Sequence, residues 1–261
     1  TRGILLVSLS GLRTLLPNPK VFERSQVSLK VGQEYDSDTL TKQLITIGYQ
    51  KVSQVISPGE FSRRGDILDI YEITQELPYR LEFFGDDIDG IRKFNPETPT
   101  SFEQVEELLV YPASDLIFEV SDFQRGIEHL EEALKTAKTE KKAYLEDLLA
   151  VSKDGFKHSD IRKFQSLFYE KEWTLLDYIP KGTPLFFDDF QKLVDKNARF
   201  DLEVANLLTE DLQQGKALSN LHYFADNYRD FRHYKPATFF SNFHKGLGNI
   251  KFDQLYQLTQ Y

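Results

Sequence analysis

The rhythm of apolar and polar positions changes three times along this chain. It begins with Ile4-Leu5-Leu6-Val7, an unbroken apolar run of the kind found in strands buried on both faces. Ser10 is placed to cap a helix over Leu12, Leu15 and Leu16, and Pro17 and Pro19 to stop it. That is a strand–helix unit of an α/β domain. Alternation then takes over. In QVSLKV, Val27, Leu29 and Val31 share one face, as in a half-solvated strand. DSDTLTKQLITIG reads as a helix: Asp36 or Ser37 caps it, Leu40, Leu44 and Ile47 form its stripe, and Gly48 ends it. YQKVSQVI reads as a strand and SPGE as a turn. EFSRR, DILDIY, YRLEFF and GIRKF follow as short strands joined by TQELP and GDD turns, and EQVEELLVY adds one more.

After Pro112 the period lengthens. Ile127, Leu130, Leu134, Ala137, Leu145 and Leu148 predict one long helix from Ser121 to about Val151. More helix surrounds IRKFQSLFY. TPLFFDDF is a short buried strand ending in two carboxylates, and a helix follows over roughly 189–208. The textures predict an α/β fold with an inserted α+β domain, a helix plus a mainly antiparallel sheet. The divisions are 1–23 and 113–235 for the α/β domain, 24–112 for the insert, and 236–261 for the start of a further domain or a linker.

Composition narrows the function classes. The chain has 261 residues, 40 % hydrophobic and 28 % charged, which is globular rather than disordered. No apolar run is long enough to cross a bilayer, and none reads as a signal peptide, so no membrane partner is expected. With no cysteine there are neither disulfides nor thiolate metal sites, which fits a cytoplasmic chain. A formal charge of −9 means that the overall field does not attract nucleic acid. The opening TRGILLVSLSG lacks an initiator Met and runs straight into an apolar strand, which reads as a fragment.

Little in the chain points to catalysis. Carboxylates Asp188 and Asp189 at the end of FFDD resemble the acidic end of a Mg²⁺-binding Walker B strand. The partner loop G-x-x-x-x-G-K-[ST] is absent, so we expect no nucleotide site; a strand end and a helix cap account for the pair. The five histidines, His129, His158, His222, His233 and His244, have no metal-ligand spacing, and no nucleophile motif occurs. We therefore expect no metal and no catalytic residue.

The informative stretch is YRLEFF. Strand alternation puts Leu81 and Phe83 on one face and Arg80, Glu82 and Phe84 on the other. If the first face is core, the second exposes a cation and a large aromatic, the composition of interface anchors. Arg64 lies one short strand earlier, before Gly65, here read as a bulge, and joins that face if the strands pair as neighbours. The plainer alternative is a solvated face on which Arg80 covers Phe84 and pairs with a nearby carboxylate.

GYQKVSQVISPGEFSRRGDILDIYEITQELPYRLEFFGDDIDGIRKFNPET closely resembles a segment shared by the bacterial transcription-repair coupling factors and their relative UvrB. The pattern is GY-x-[RK]-V, G-[EQ]-[FY], R-G, a D-[IL] strand, Y-R-[LIV]-[ED]-[FL]-F, D-[ED]-I-D and I-R-x-F. The likeness continues through FYEKEWTLLDYIP and FHKGLGNIKFDQLYQLTQY. At FFDDFQK the Ser and His of the intact UvrB motor signature are missing, which favours the coupling factors. The resemblance implies a degenerate UvrB-like, RecA-type α/β domain that carries the inserted domain.

It also implies a role. In this family the insert bears a UvrA-binding surface, and Arg64, Arg80 and Phe84 align with two arginines and a phenylalanine of it. The intact family protein engages stalled RNA polymerase and double-stranded DNA and translocates with ATP and Mg²⁺ held in motor domains absent here. For this chain the resemblance implies recognition without catalysis and no cofactor of its own. Direct DNA contact by a degenerate helicase-like domain, or a purely structural scaffold, stand as alternatives.

Overall fold

A computed structural model describes residues 3–98, 101–153, 159–226, 234 and 236–240. Ten strands and eight α-helices are found among them. The first part runs α1 Leu9–Arg13, α2 Pro19–Arg24, β1 Val27–Lys30, α3 Ser37–Thr46 and β2 Gln50–Lys51. Then come β3 Glu60–Arg64, β4 Ile67–Ile70, β5 Tyr79–Phe84, β6 Asp87–Phe94, β7 Ser101–Val105 and β8 Glu107–Val110. The remainder is α4 Val120–Lys135, α5 Thr139–Lys153, α6 Gln165–Phe168, α7 Leu175–Tyr178, β9 Leu185–Asp188, α8 Phe190–Gln213 and β10 Ala237–Phe240. The mixture is α/β, as its patterning predicts.

β2 to β7 form one six-stranded sheet in sequence order, antiparallel except for the parallel β2–β3 pair. One face of this sheet is core. Phe61, Leu68, Ile70, Leu81, Phe83, Ile88 and Ile91 meet Leu40 and Leu44 of α3, Val27 and Leu29 of β1, and Leu108 and Val110 of β8. Asp36 starts α3 by accepting hydrogen bonds from the amides of Asp38 and Thr39. The buried carboxylate of Glu72 holds the chain leaving β8: Oε1 accepts from Tyr111 N at 3.3 Å, and Oε2 accepts from Thr74 N at 2.7 Å.

The helical remainder has its own core. Leu130 of α4, Leu145 and Leu148 of α5 and Phe164, Leu167 and Phe168 pack together, closed by Leu218 and Leu221. A third cluster joins Phe187, Phe190 and Phe239. β9 and β10 pair in parallel, so residues 237–240, assigned from sequence to a further unit, lie beside β9. The rest of the aromatic tail falls outside the described residues.

Several expectations change. Ile4–Val7 is not a buried strand: the run is exposed, with Ile4 at 93 %. Its apolar sequence calls for burial, yet no strand pairs with it among the described residues; it lines one wall of a groove of about 800 Å³ beside Leu185 and Phe187. The cap of α1 is Ser8, not Ser10, and Pro19 opens α2 at its first turn, where a missing N–H costs nothing. The long helix is two, α4 and α5, broken at Thr136–Lys138 so that the two halves fold against each other. EQVEELLVY is split at Glu106: β7 extends the large sheet while β8 leaves it to pair with β1. From YQKVSQVI only Gln50 and Lys51 are strand.

Candidate functional site

The face of the large sheet opposite α3 presents the charged residues. Cα partners across a sheet share a face, so the register sorts them into rows. One row runs Arg64, Ile67, Glu82, Gly90. The next runs Asp69, Arg80, Arg92, Gln104. Phe84 ends β5 two residues beyond Glu82 on the same side. The structure therefore brings Arg64, Arg80 and Phe84 to one face, with Arg64 about 10 Å, two strand spacings, from the β5 row.

Two tight hairpins shape the end of this face. Gly65-Asp66 joins Arg64 to Ile67, and Gly85-Asp86 joins Phe84 to Asp87. Both glycines have positive φ, +59° and +64°, as the first position of a two-residue hairpin loop favours. Gly65 is thus a turn residue rather than a bulge. The bulge lies instead between the Glu82–Gly90 and Phe83–Ile88 pairs.

The hairpins are braced. Phe83 N donates to Asp66 O at 2.8 Å, tying the first tip to β5. Tyr35 N donates to Asp86 O at 2.6 Å, and Ile88 N to Gln33 O at 3.0 Å, tying the second tip to the turn after β1. Phe84 consequently stands on a backbone fixed from both sides, and the residue is 81 % exposed. Its neighbour Phe83 is 8 % exposed and faces the core.

The two arginines differ. Arg80 makes a side-on fork to Asp69, with Nε to Oδ1 at 2.7 Å and Nη2 to Oδ2 at 2.9 Å. Its guanidinium carbon lies 4.8 Å from the centroid of Phe94. The hydrogen bonds that Arg80 donates to Asp69 raise the Arg80 pKa above its ordinary value. Arg80 does pair with a neighbouring carboxylate, as the plainer alternative has it, but it is seated on Phe94 and leaves Phe84 uncovered. The Arg64 side chain is exposed and has no hydrogen-bond or ion-pair partner among the described residues.

Sequence reasoning missed two participants. Asp69 lies between buried Leu68 and Ile70, and a carboxylate inside an apolar strand signals a cation waiting to pair with it. Arg92 shares the row of Arg80 and stands 3.5 Å from Glu82. Away from the sheet, Asp189 caps α8 in a left-handed conformation, φ 50°, accepting from Lys192 N at 3.3 Å. Among the described residues no group of three or more His, Asp or Glu could hold a metal, and no helix is long and apolar enough to cross a membrane. His158, His233 and His244 lie outside the described residues.

Residues 27–116 match the family described as the UvrB interaction domain. The chain is 33 % identical over 227 residues to the transcription-repair-coupling factor of Bacillus subtilis, a match covering 84 % of this chain and 19 % of that protein. It is 29 % identical over 255 residues to the transcription-repair-coupling factor of Staphylococcus aureus strain RF122, covering 93 % of this chain and 21 % of the relative. The chain thus spans about a fifth of the length of the curated relatives it matches. Residues 27–116 match the UvrB interaction domain, in a chain that is similar over most of its length to transcription-repair-coupling factors.

Proposed function

We propose that the face bearing Arg64, Arg80 and Phe84 is a docking surface for UvrA, through which this chain recruits excision repair to stalled RNA polymerase. The observation that carries this reading is Phe84, 81 % exposed on a braced hairpin tip of the face it shares with Arg64 and Arg80, within the segment that matches the UvrB interaction domain. A large aromatic held in water by fixed backbone has little ordering left to lose on binding. Phe84 fills an apolar pocket on the partner, and Arg64 and Arg80 meet carboxylates around it. The work of this chain is recognition. ATP, Mg²⁺, polymerase contact and translocation on DNA belong to other parts of the longer proteins it resembles.

Titration of purified UvrA with this chain tests the reading. Phe84→Ala and Arg80→Ala, each shown to be folded, are expected to weaken binding about thirtyfold, as for a lost anchor of about 2 kcal/mol. Arg80→Lys restores only part, because an ammonium lacks the planar fork. Unchanged affinity in both alanine variants, or no binding by the folded parent, overturns it. A retardation assay with duplex DNA at two salt concentrations separates the rival reading, since phosphate contacts give steep salt dependence.

A further inference from the structure

We infer that Asp69 is a positioning residue of this surface, which fixes Arg80 so that only its terminal guanidinium edge is offered to a carboxylate on the partner. The inference rests on the reading that Arg80 contacts UvrA. Asp69 is deeply placed for a carboxylate, its side chain 4 % exposed, while that of Arg80 is 22 % exposed. Both Asp69 oxygens are taken by one edge of the guanidinium, through Nε at 2.7 Å and Nη2 at 2.9 Å. That leaves both Nη1 hydrogens and the second Nη2 hydrogen. One from each nitrogen points away from Nε in parallel, the geometry that accepts a carboxylate end-on.

The ring of Phe94, 4.8 Å from the guanidinium carbon, holds the plane. Phe94 is buried, and its backbone N donates to Pro78 O at 3.1 Å, so the seat is itself anchored beside β5. Arg80 is therefore aimed before any partner arrives. Arg64, with no partner among the described residues, has no such seat.

The sign of one substitution separates aiming from simple charge. Asp69→Asn removes a negative charge from the face and keeps its shape. If Arg80 acted only as a point charge toward an acidic partner, the loss of Asp69 would tighten binding. If Asp69 aims Arg80, binding weakens. The experiment titrates UvrA against the parent chain, Asp69→Asn, Arg80→Ala and the double variant, with folding checked by urea unfolding. A second single variant, Phe94→Leu, loosens the seat without touching a charge.

We expect Asp69→Asn to weaken binding about tenfold, within the range of coupled neighbours, and to add nothing once Arg80 is alanine. Phe94→Leu weakens binding in the same non-additive way. Affinity unchanged or improved in Asp69→Asn and unchanged in Phe94→Leu, or equal losses with and without Arg80, overturns the inference and returns the pair to a structural role. If Arg80→Ala itself leaves affinity unchanged, the docking reading fails first and this one with it.

Discussion

Phe83 and Phe84 are adjacent and identical, and their environments are opposite. The pleat sends one into the core beside Leu81 and Ile88 and the other into water at the hairpin tip. A stability measurement should separate them cleanly. Phe83→Ala removes a core ring and is expected to cost about 3–5 kcal/mol in urea unfolding. Phe84→Ala is expected to stay within about 0.5 kcal/mol of the parent, because nothing in the fold depends on that ring. Equal losses would mean that Phe84 is a packing residue, and the docking reading would lose its anchor. The alternation that distinguishes them is legible in YRLEFF without coordinates. What sequence could not show is that Arg80 is already paired: Asp69 lies eleven residues away, and only the β4–β5 register sets the two opposite each other.

Among elements, the β5–β6 hairpin and the ends of α3 are legible in the sequence, while the cap of α1, the turn at Gly65 and the break in the long helical stretch are not. The GDD turn signal marks the β5–β6 hairpin, and Asp36 and Gly48 bracket α3, because turns and caps are local chemistry. The break between α4 and α5 is not legible in the spacing, because apolar positions continue across it; Ala137 still packs on the helical core. Gly126 shows how tightly that core is built. A Cβ there would lie 2.2 Å from Cδ1 of Phe168, far inside contact distance. In an open helix Gly→Ala gains about 1 kcal/mol. Here Gly126→Ala is expected to lower stability by about 1–3 kcal/mol, since the Phe168 ring must be displaced from a filled core. A rise in the urea midpoint would show that the α4–α6 contact can relax.

At the scale of the molecule, polar contacts join the sheet unit to the helical unit. Asp115, just past the segment that leaves β8, accepts from Arg162 Nη2 at 2.5 Å and Nη1 at 2.8 Å. The Arg162 hydrogen bond holds the Asp115 carboxyl below its ordinary value. The folded state therefore binds this proton less readily than the unfolded state. The contribution is fully present above the unfolded value, about pH 4, and is lost as pH falls through the lower folded value. Urea midpoints of the parent and Asp115→Asn are expected to differ near neutrality and to converge in acid, below about pH 4. A gap that stays constant with pH would assign the effect of the substitution to packing rather than to ionisation. Outside the sheet unit, buried Arg13 donates to Asp201 Oδ1 at 2.5 Å, Asn197 Oδ1 at 2.9 Å and Ala225 O at 2.7 Å, joining α1 to α8.

The sequence by itself determined what depends on neighbours in the chain. Alternation chose the core face of β5, Gly–Asp pairs set the hairpin tips, Asp36 started α3, and the ordered pattern from Gly48 to Thr98 carried the family likeness. Tertiary structure alone decided what depends on neighbours in space. It placed Arg64 in the row of Glu82, gave Asp69 to Arg80, seated Arg80 on Phe94, and split one apparent strand between two sheets at Glu106. It also left Ile4–Val7 exposed, because an apolar run asks for burial but cannot supply the second surface that burial requires.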